Sequence, residues 1–497
     1  MIENFCLREM EKLVVMIIPH TKWAVLAATT LLTLCHVGLA VQPNFVFFIT
    51  DDISADDLGI YGNSWIHTPN LDRLATQGLV FDNAYLTISS CSPSRCSMIT
   101  GRYPHNTGAP ELHTTLPDDQ VTFVQLLKNH GYHTILSGKN HMNAPEKLGF
   151  VEHSDSSPSG SENWVRHLRE RPRDKPFFCW FASHDAHYAF TPDSHAPTYN
   201  AIDVQVPPML FDGPATRQEL AEFAHEVSRT DYYAGQVMDE LERQGVRNNT
   251  YFIYCSDNGR PFPRCKTYLF DSGIRTPLIV LGPRVSAGRT KSITSSVDYA
   301  ATILELAGVE KPPSVQGVSF VPVLEDPTAE VRNVAFSERN WHVYQNHARA
   351  VRHDGWLYIW NAWPERYNVS SESSDFKFAA AKELWLASAA GKLTDAQNLM
   401  TQPNQPSEML FRIADDPHQL NNMAAETRYQ DVMKTMRELL GAWQSETGDD
   451  VPESPTLDRQ PLHEGNNKPV VRGAFPGARS HSTANSNSGP VIHSNSP

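Results

Sequence analysis

Cysteine is scarce in this 497-residue chain, with seven scattered residues, too few for disulfides to stand in for a core. Positive charge is short as well: 42 Lys and Arg face 56 Asp and Glu, a net of −14. That balance excludes a nucleic-acid binder, which needs a basic face. It also means that an anionic substrate must be held by a local cationic cluster, not by the field of the whole protein. No repeat at solenoid or propeller spacing is present. The apolar run Trp23–Leu39 is shorter than the roughly 20 residues that span a bilayer, and His36 interrupts it. What is there is 40% hydrophobic, 20% charged and 10% aromatic, the profile of a globular enzyme with ample material for a core.

The two ends read differently from the middle. Lys12 and Lys22 precede the apolar run and small residues follow it to Ala40, so residues 1–40 are expected to be an export signal and the mature chain to have no membrane span. Export implies the periplasm or medium for a bacterium, and a lysosome or secretion for a eukaryote. Residues 456–497, rich in Asn, Ser, Pro, Gly and His without apolar period, are expected to be a disordered tail. Between these ends we expect a catalytic domain over 41–345 and an α+β subdomain over 346–455. Short segments such as Val331–Phe336 and Trp356–Trp360 suggest antiparallel strands there, and an amphipathic helix is expected from about Ala425 to Trp443. Asn248-Asn-Thr and Asn368-Val-Ser are glycosylation sequons.

In the middle, apolar runs repeatedly stop at polar clusters. Phe45–Thr50 stops at Asp51-Asp52, and Tyr132–Ser137 at Gly138-Lys139-Asn140-His141. Phe177–Ala182 stops at Ser183-His184-Asp185-Ala186-His187, and Tyr251–Ser256 at Asp257-Asn258-Gly259. Runs apolar on both faces suit strands buried in a parallel sheet. Helical patterns separate them: Val121–Lys128, a long one opened by Thr216 with Glu219 as a capping box and ended at Gly245, and one capped by Asp298 through Leu306. The alternation predicts an α/β fold with a large, doubly wound, mostly parallel sheet, in which ligands bind beyond the carboxyl ends of the strands.

Four strand ends thus deliver chemistry to one rim. Asp51, Asp52, Asp257 and Asn258 are hard oxygen ligands matched to Ca²⁺ or Mg²⁺. Taken alone, Asp-Asp suits a helix cap or a solvated turn, and Asp-Asn-Gly a tight turn; their meeting at one rim weighs against both. Lys139 offers a point charge to an oxyanion beside the titratable His141, and His184 and His187 are a second acid–base pair. Cys91 opens Cys-Ser-Pro-Ser-Arg-Cys-Ser-Met-Ile-Thr-Gly-Arg102. It reads either as a buried cysteine before a helix or as a thiol activated at a helix N-terminus. A thiolate is a poor partner for a hard cation, whereas an oxygen nucleophile at this position would suit the surroundings.

These residues resemble the sulfatase family of the alkaline-phosphatase-like fold. Its signature, C-x-P-S-R, a short spacer and T-G-R, matches Cys91–Arg102 in register. Asp51-Asp52 with Asp57-Leu-Gly-Ile-Tyr-Gly62, Thr68-Pro-Asn-Leu-Asp-Arg-Leu-Ala75 and Asp271-Ser-Gly-Ile-Arg-Thr-Pro277 resemble further family segments. His184-Asp-Ala-His187, Asp257-Asn-Gly-Arg-Pro-Phe-Pro263 and Ala442-Trp-Gln-Ser-Glu-Thr447 are similar to the N-sulfoglucosamine sulfohydrolase branch, the heparan sulfamidases. Two departures, the missing Trp in Gly138-Lys-Asn-His141 and a Lys at 266 where that branch has Arg, leave the sugar unassigned.

The resemblance implies that Cys91 is converted to formylglycine (3-oxoalanine) by a formylglycine-generating maturation enzyme. It implies one Ca²⁺, with Mg²⁺ second, held by Asp51, Asp52, Asp257, Asn258 and the residue at Cys91. Arg95 would hold the aldehyde hydrate. Lys139 and Lys266 would bind the sulfuryl oxygens, His187 would protonate the leaving alcohol or amine, and His184 would touch substrate. His141 would take the proton that releases sulfate from the sulfo-enzyme. The implied substrate is a sulfated oligo- or polysaccharide such as a glycosaminoglycan, cut at an O-sulfate or an N-sulfate. Two other readings compete: a phosphoric mono- or diester or phosphonate hydrolase of the same fold, and a non-catalytic binder of sulfated polysaccharide. A thiol hydrolase ranks behind them.

Overall fold

The structure is a computed structural model that describes residues 42–459; the expected leader over residues 1–40 and the tail beyond Arg459 lie outside the described residues. Residues 43–459 form one compact unit. The run Asn-Phe-Val-Phe-Phe-Ile-Thr has the β-branched and aromatic make-up of a central strand, and it forms β1, Asn44–Thr50, buried along its whole length. In chain order, Leu79–Phe81 is β2, His133–Gly138 β3, Glu152–Ser154 β4, Phe177–Ala182 β5, Thr250–Ser256 β6, Leu278–Leu281 β7 and Gly288–Thr290 β8. They make one eight-stranded sheet in the order β4-β3-β5-β1-β6-β7-β2-β8. β1 pairs in parallel with both β5 and β6, and β3 with both β4 and β5; β7 runs antiparallel to its neighbours.

Alternation along β1 explains the layers. Phe45, Phe47 and Ile49 pack on one side with α1 (Cys91–Thr100), α2 (Phe123–Asn129) and, across the same core, Tyr299–Leu304. Val46 and Phe48 pack on the other with α3, Pro214–Arg243. The sheet is therefore covered on both faces, as its uninterrupted apolar strands require.

Three expected helix signals come out differently. α2 starts two residues later than the pattern suggested, at a capping box in which Thr122 Oγ1 accepts from Gln125 N at 3.1 Å and Gln125 Oε1 from Thr122 N at 3.0 Å. Thr216 does not cap α3, which begins after Gly213 with Pro214. Instead its hydroxyl donates to Glu383 at 2.8 Å, while Glu219 accepts the N–H groups of Ala379 and Ala380 at 3.1 and 2.8 Å. Tertiary partners have taken over a local capping pattern. Asp298 is the first residue of α4, Asp298–Leu306, and accepts from Ser295 N and Val318 N, each at 2.9 Å.

A second, four-stranded antiparallel sheet follows: β9 (Val334–Arg339), β10 (Ala348–His353), β11 (Trp356–Asn361) and β12 (Glu408–Arg412), in that order. Its first strand lies before the boundary expected at 345. One face packs Phe336, Val351, Tyr358 and Leu410 against Met433, Met436, Leu440 and Trp443 of α5, Gln430–Thr447. The other packs Ala335, Ala350, Leu357 and Ile359 against Tyr85, Tyr268 and Phe270 of the main unit.

The segment expected to be a tail begins bonded: Trp341 Nε1 donates to Leu457 O at 2.8 Å and Arg459 N to Val343 O at 2.7 Å. Of the two sequons, Asn248 is exposed, whereas Asn368 is buried with its carbonyl accepting from Tyr268 Oη at 2.7 Å. Among the described residues no helix is long and apolar enough to cross a membrane, and Cys91, Cys96, Cys179, Cys255 and Cys265 are free and buried.

Candidate active site

Strand register brings the polar clusters together. Thr50 is level with Ser256 across β1 and β6, Ile49 with Ala182 across β1 and β5, and Gly138 with Ala182 across β3 and β5. The residues that follow, Asp51, Asp257, Ser183 and Lys139, therefore leave the sheet side by side. Gly138 is left-handed at φ 93°, and a Cβ there would run into the carbonyl of Ala182, so only glycine turns this strand end toward the rim.

α1 carries position 91 at its first residue and is buried at every position. Ser90 precedes it in an extended conformation, and its Oγ lies 2.6 Å from His342 Nδ1 instead of capping the helix. The helix ends at Gly101, left-handed at φ 65°. Cys91 Sγ donates to Asp51 Oδ1 across 3.8 Å, and ligand atoms of Asp51, Cys91 and Asp257 all lie within 4.8 Å of one another. Burial, with little relief from Lys139 and Lys266, pushes the Cys91 thiol up to about 12, so an unmodified Cys91 is a protonated thiol and not a nucleophilic thiolate.

Three buried carboxylates face two buried cations, Arg95 and Lys266, and the partly exposed Lys139 here. Arg95 Nε and Nη2 each lie 2.8 Å from Asp257 Oδ2, and Nη1 donates to Lys139 O at 3.0 Å. Lys139 Nζ pairs with Asp51, and Lys266 Nζ lies 2.7 and 2.8 Å from the two oxygens of Asp52. Asp52 is left-handed at φ 62°, its N–H donates to Asp257 Oδ1 at 3.3 Å, and its carboxylate accepts from Asn258 Nδ2. Burial acts to raise Asp51, but Lys139, with Arg95 and Lys266 behind it, holds the carboxyl well below the usual range. Burial and the neighbouring carboxylates raise Asp52 and Asp257, beyond what Lys266 and Arg95 offset. Asn258 Oδ1 is buried without a hydrogen-bond partner among the described residues. An orphaned amide oxygen beside three carboxylates, two of them raised by burial and then by neighbouring negative charge, is a donor set that a hard divalent cation fits.

Above this floor lies a cavity of about 730 Å³ lined by Asp51, Lys139, His141, His184 and His187, together with His113. His187 Nδ1 donates to Tyr188 O at 2.6 Å, leaving Nε2 as its basic atom; the residue is exposed on the cavity wall, and lost solvation there, with Lys266 and Lys139, lowers its pKa well below the usual imidazole range. His184 stands further out, with Nε2 2.8 Å from Asp155 Oδ1 and about a third of its side chain exposed. His141 is left-handed at φ 61° and sets Nε2 2.5 Å from His113 Nδ1, while its own Nδ1 is buried without a partner among the described residues. Burial and Lys139 keep it neutral as well.

The sequence did not single out His113 or His342. His113 reaches the rim because its N–H donates to Ser92 Oγ at 2.7 Å, tying an irregular segment to α1; no periodicity marks it. His342 comes from the loop after β9, far away in sequence.

Comparison with known proteins bears directly on this rim. The family model described as Sulfatase matches residues 43–166 and 161–309, which span the strand ends, α1 and Lys266. The chain belongs to the sulfatase family. It is thus a sulfuric ester hydrolase of alkaline-phosphatase-like fold, which favours sulfuryl over phosphoryl transfer. A second model, N-sulphoglucosamine sulphohydrolase, C-terminal, matches residues 264–359. N-sulphoglucosamine sulphohydrolase of Homo sapiens is 28% identical over 85% of this chain and 94% of its own length. An ulvan-active sulfatase of Formosa agariphila is 27% identical over 85% of this chain and 78% of its own length. Among solved structures, one in complex with its substrate D-glucosamine-2-N,6-O-disulfate superposes with a TM-score of 0.65 at 21% identity, covering 83% of this chain and 99% of that one. A 2-O GAG sulfatase superposes at 0.62 with 19% identity, covering 88% and 99%. These two likenesses show the fold.

Proposed function

We propose that this sulfatase removes sulfate from sulfated amino sugars of a glycosaminoglycan-type saccharide, with N-sulfoglucosamine as the first candidate. The reading rests chiefly on the meeting of position 91 with Asp51 and Asp257 beneath a cavity lined by Lys139, His113, His141, His184 and His187. Two observations favour the N-sulfate: residues 264–359 match a sulphohydrolase C-terminal model, and the human N-sulphoglucosamine sulphohydrolase aligns over 94% of its length. The chain is exported through residues 1–40 and matured at Cys91 by a formylglycine-generating enzyme.

Asp51, Asp52, Asp257 and Asn258 would hold one divalent cation, Ca²⁺ ahead of Mg²⁺, because the set offers only hard oxygen donors besides position 91. Matured as formylglycine, position 91 supplies a hydrated aldehyde as an oxygen nucleophile, and the cation supplies positive charge beside it. Arg95 fixes Asp257 and the Lys139 carbonyl and keeps water out of the floor. Lys139 and Lys266, paired here with Asp51 and Asp52, would also face the sulfuryl oxygens; fixed charges of this kind stabilise the charge that develops in transfer.

His187 Nε2 carries the proton for the leaving amine or alcohol. A bound sulfate offsets the two ammonium groups that otherwise keep this ring neutral. His141, neutral and with Nδ1 unengaged, is in the right state to accept a proton there, its Nε2–H donating to His113. His184 contacts the sugar at the outer wall.

The test is desulfation of a panel of defined saccharides by the matured enzyme: N-sulfoglucosamine, its 6-O-sulfated and 2-N,6-O-disulfated forms, and p-nitrophenyl phosphate as control. Sulfate release from the N-sulfated members supports the reading. Release only from O-sulfated members would reassign the scissile bond, and phosphate release alone would overturn the proposal.

A further inference from the structure

A second cavity, of about 700 Å³, shares no lining residue with the one over the rim. It lies between the turn after α1, the loop joining β9 to β10, and the segment 448–456 that follows α5. A thin wall separates the two. Glu111 and Trp341 line the second cavity, whereas His113 lines the first and His342 reaches Ser90 at the head of α1. Leu112 N, between Glu111 and His113, donates to Trp341 O at 3.3 Å. Glu111 and His113 are two residues apart, at most about 7 Å of extended chain, so the two linings come close along this strip.

The lining combines aromatic faces with planar polar groups. Trp341 is fixed by its bond to Leu457 O, and Trp363 stands partly exposed with its ring centroid 5.8 Å from that of His347. Asn346 and His347 are only 8% and 2% exposed, yet Asn346 Oδ1 and His347 Nε2 have no hydrogen-bond partner among the described residues. Arg349 Nη2 lies 3.4 Å from His347 Nδ1 and donates to it, so the ring proton of the neutral imidazole sits on Nε2. Just beneath the lining, then, lie one donor and one acceptor, both costly to leave unmade, and a hydroxyl group seated against Asn346 and His347 answers both.

The charge of the lining opposes a sulfate. Arg349 is already held by Asp449 at 2.6 Å and His105 by Glu338 at 2.7 Å, while Asp450 and Glu453 add negative charge at the rim.

We propose that this cavity is a binding site for a neutral, unsulfated sugar unit, stacked on Trp363 and hydrogen-bonded by Asn346 and His347, next to the site where sulfate is removed. The saccharide class rests on the function proposed above; the cavity's chemistry adds that this unit carries no sulfate. Aromatic rings beside a few convergent polar groups in a concavity of this size are the usual make-up of a small-ligand site.

The experiment titrates the matured full-length enzyme with chitotetraose, a neutral amino-sugar oligomer, following tryptophan fluorescence and heat. We expect saturable binding to the parent that weakens at least tenfold in Trp363→Ala and in Asn346→Ala. Turnover of monomeric N-sulfoglucosamine should stay within twofold in both variants, which also reports that they fold. No saturable binding to the parent, or binding within twofold of the parent in both variants, would overturn the proposal. If no sulfated saccharide is turned over, the desulfation reading fails separately, and the titration, with melting curves as the folding control, still decides the cavity.

Discussion

Arg95, Lys139 and Lys266 each pair with a different one of the three rim aspartates, so substitutions among them separate charge stabilisation from folding. Lys139→Ala or Lys266→Ala should lower kcat by 10²–10³, about 2.7–4 kcal/mol of activation energy, as loss of one preorganised donor does; steady-state kinetics with N-sulfoglucosamine measures it, and unchanged kcat in both variants would remove these lysines from the mechanism. Cys91→Ser should fold normally and lose turnover, because serine lacks the second hydroxyl of an aldehyde hydrate. Cys96 lies in the apolar core on the other side of α1. Cys96→Ser should therefore keep kcat and cost about 1–3 kcal/mol of stability for an unpaired buried hydroxyl, read from urea unfolding beside turnover. The acidic residues were legible in the sequence because each directly follows an apolar strand. His113 and His342 were not, since loops bonded to Ser92 and Ser90 place them, and no periodicity records a loop's partner.

Among the elements, α1 bears most of the positional demand. All ten of its residues are buried, so it cannot shift to relieve strain, and the left-handed Gly101 ends it where the chain must turn. A Cβ at Gly101 would meet Val315 Cγ1 at 2.8 Å and Ala300 Cβ at 2.9 Å. Gly101→Ala should thus cost more than the ~1 kcal/mol of the backbone conformation alone, seen as a lower urea midpoint, and a midpoint equal to the parent's would contradict this account of the helix end. The parallel strands and their common rim were readable from uninterrupted apolar runs. Thr216 and Glu219 were misread because a capping pattern is local, while Glu383 and the N–H groups of Ala379 and Ala380 come from a distant segment and outcompete it. The first antiparallel strand, Val334–Arg339, falls before the expected boundary because its inner face belongs to the core shared with Tyr85, Tyr268 and Phe270.

For the whole molecule, a net charge of −14 gives an anionic substrate no long-range attraction, and binding depends on the small cationic floor. The same floor would couple the proposed cation to stability. Chelation by EDTA should lower Tm and abolish turnover, and added Ca²⁺ should restore both; a cation at a hundredfold excess over its Kd contributes about 2.7 kcal/mol. A melting curve indifferent to EDTA and Ca²⁺ would contradict the proposed donor set.

The central claim is that the reacting group at position 91 is no longer a cysteine. Mass spectrometry of the peptide spanning Ser89–Arg102, on enzyme whose sulfate release has been measured, tests it most directly. The account predicts exchange of H₂S for oxygen at position 91, in a fraction that tracks specific activity across preparations made with and without the maturation enzyme. Full activity from protein whose peptide still carries the intact thiol would contradict it.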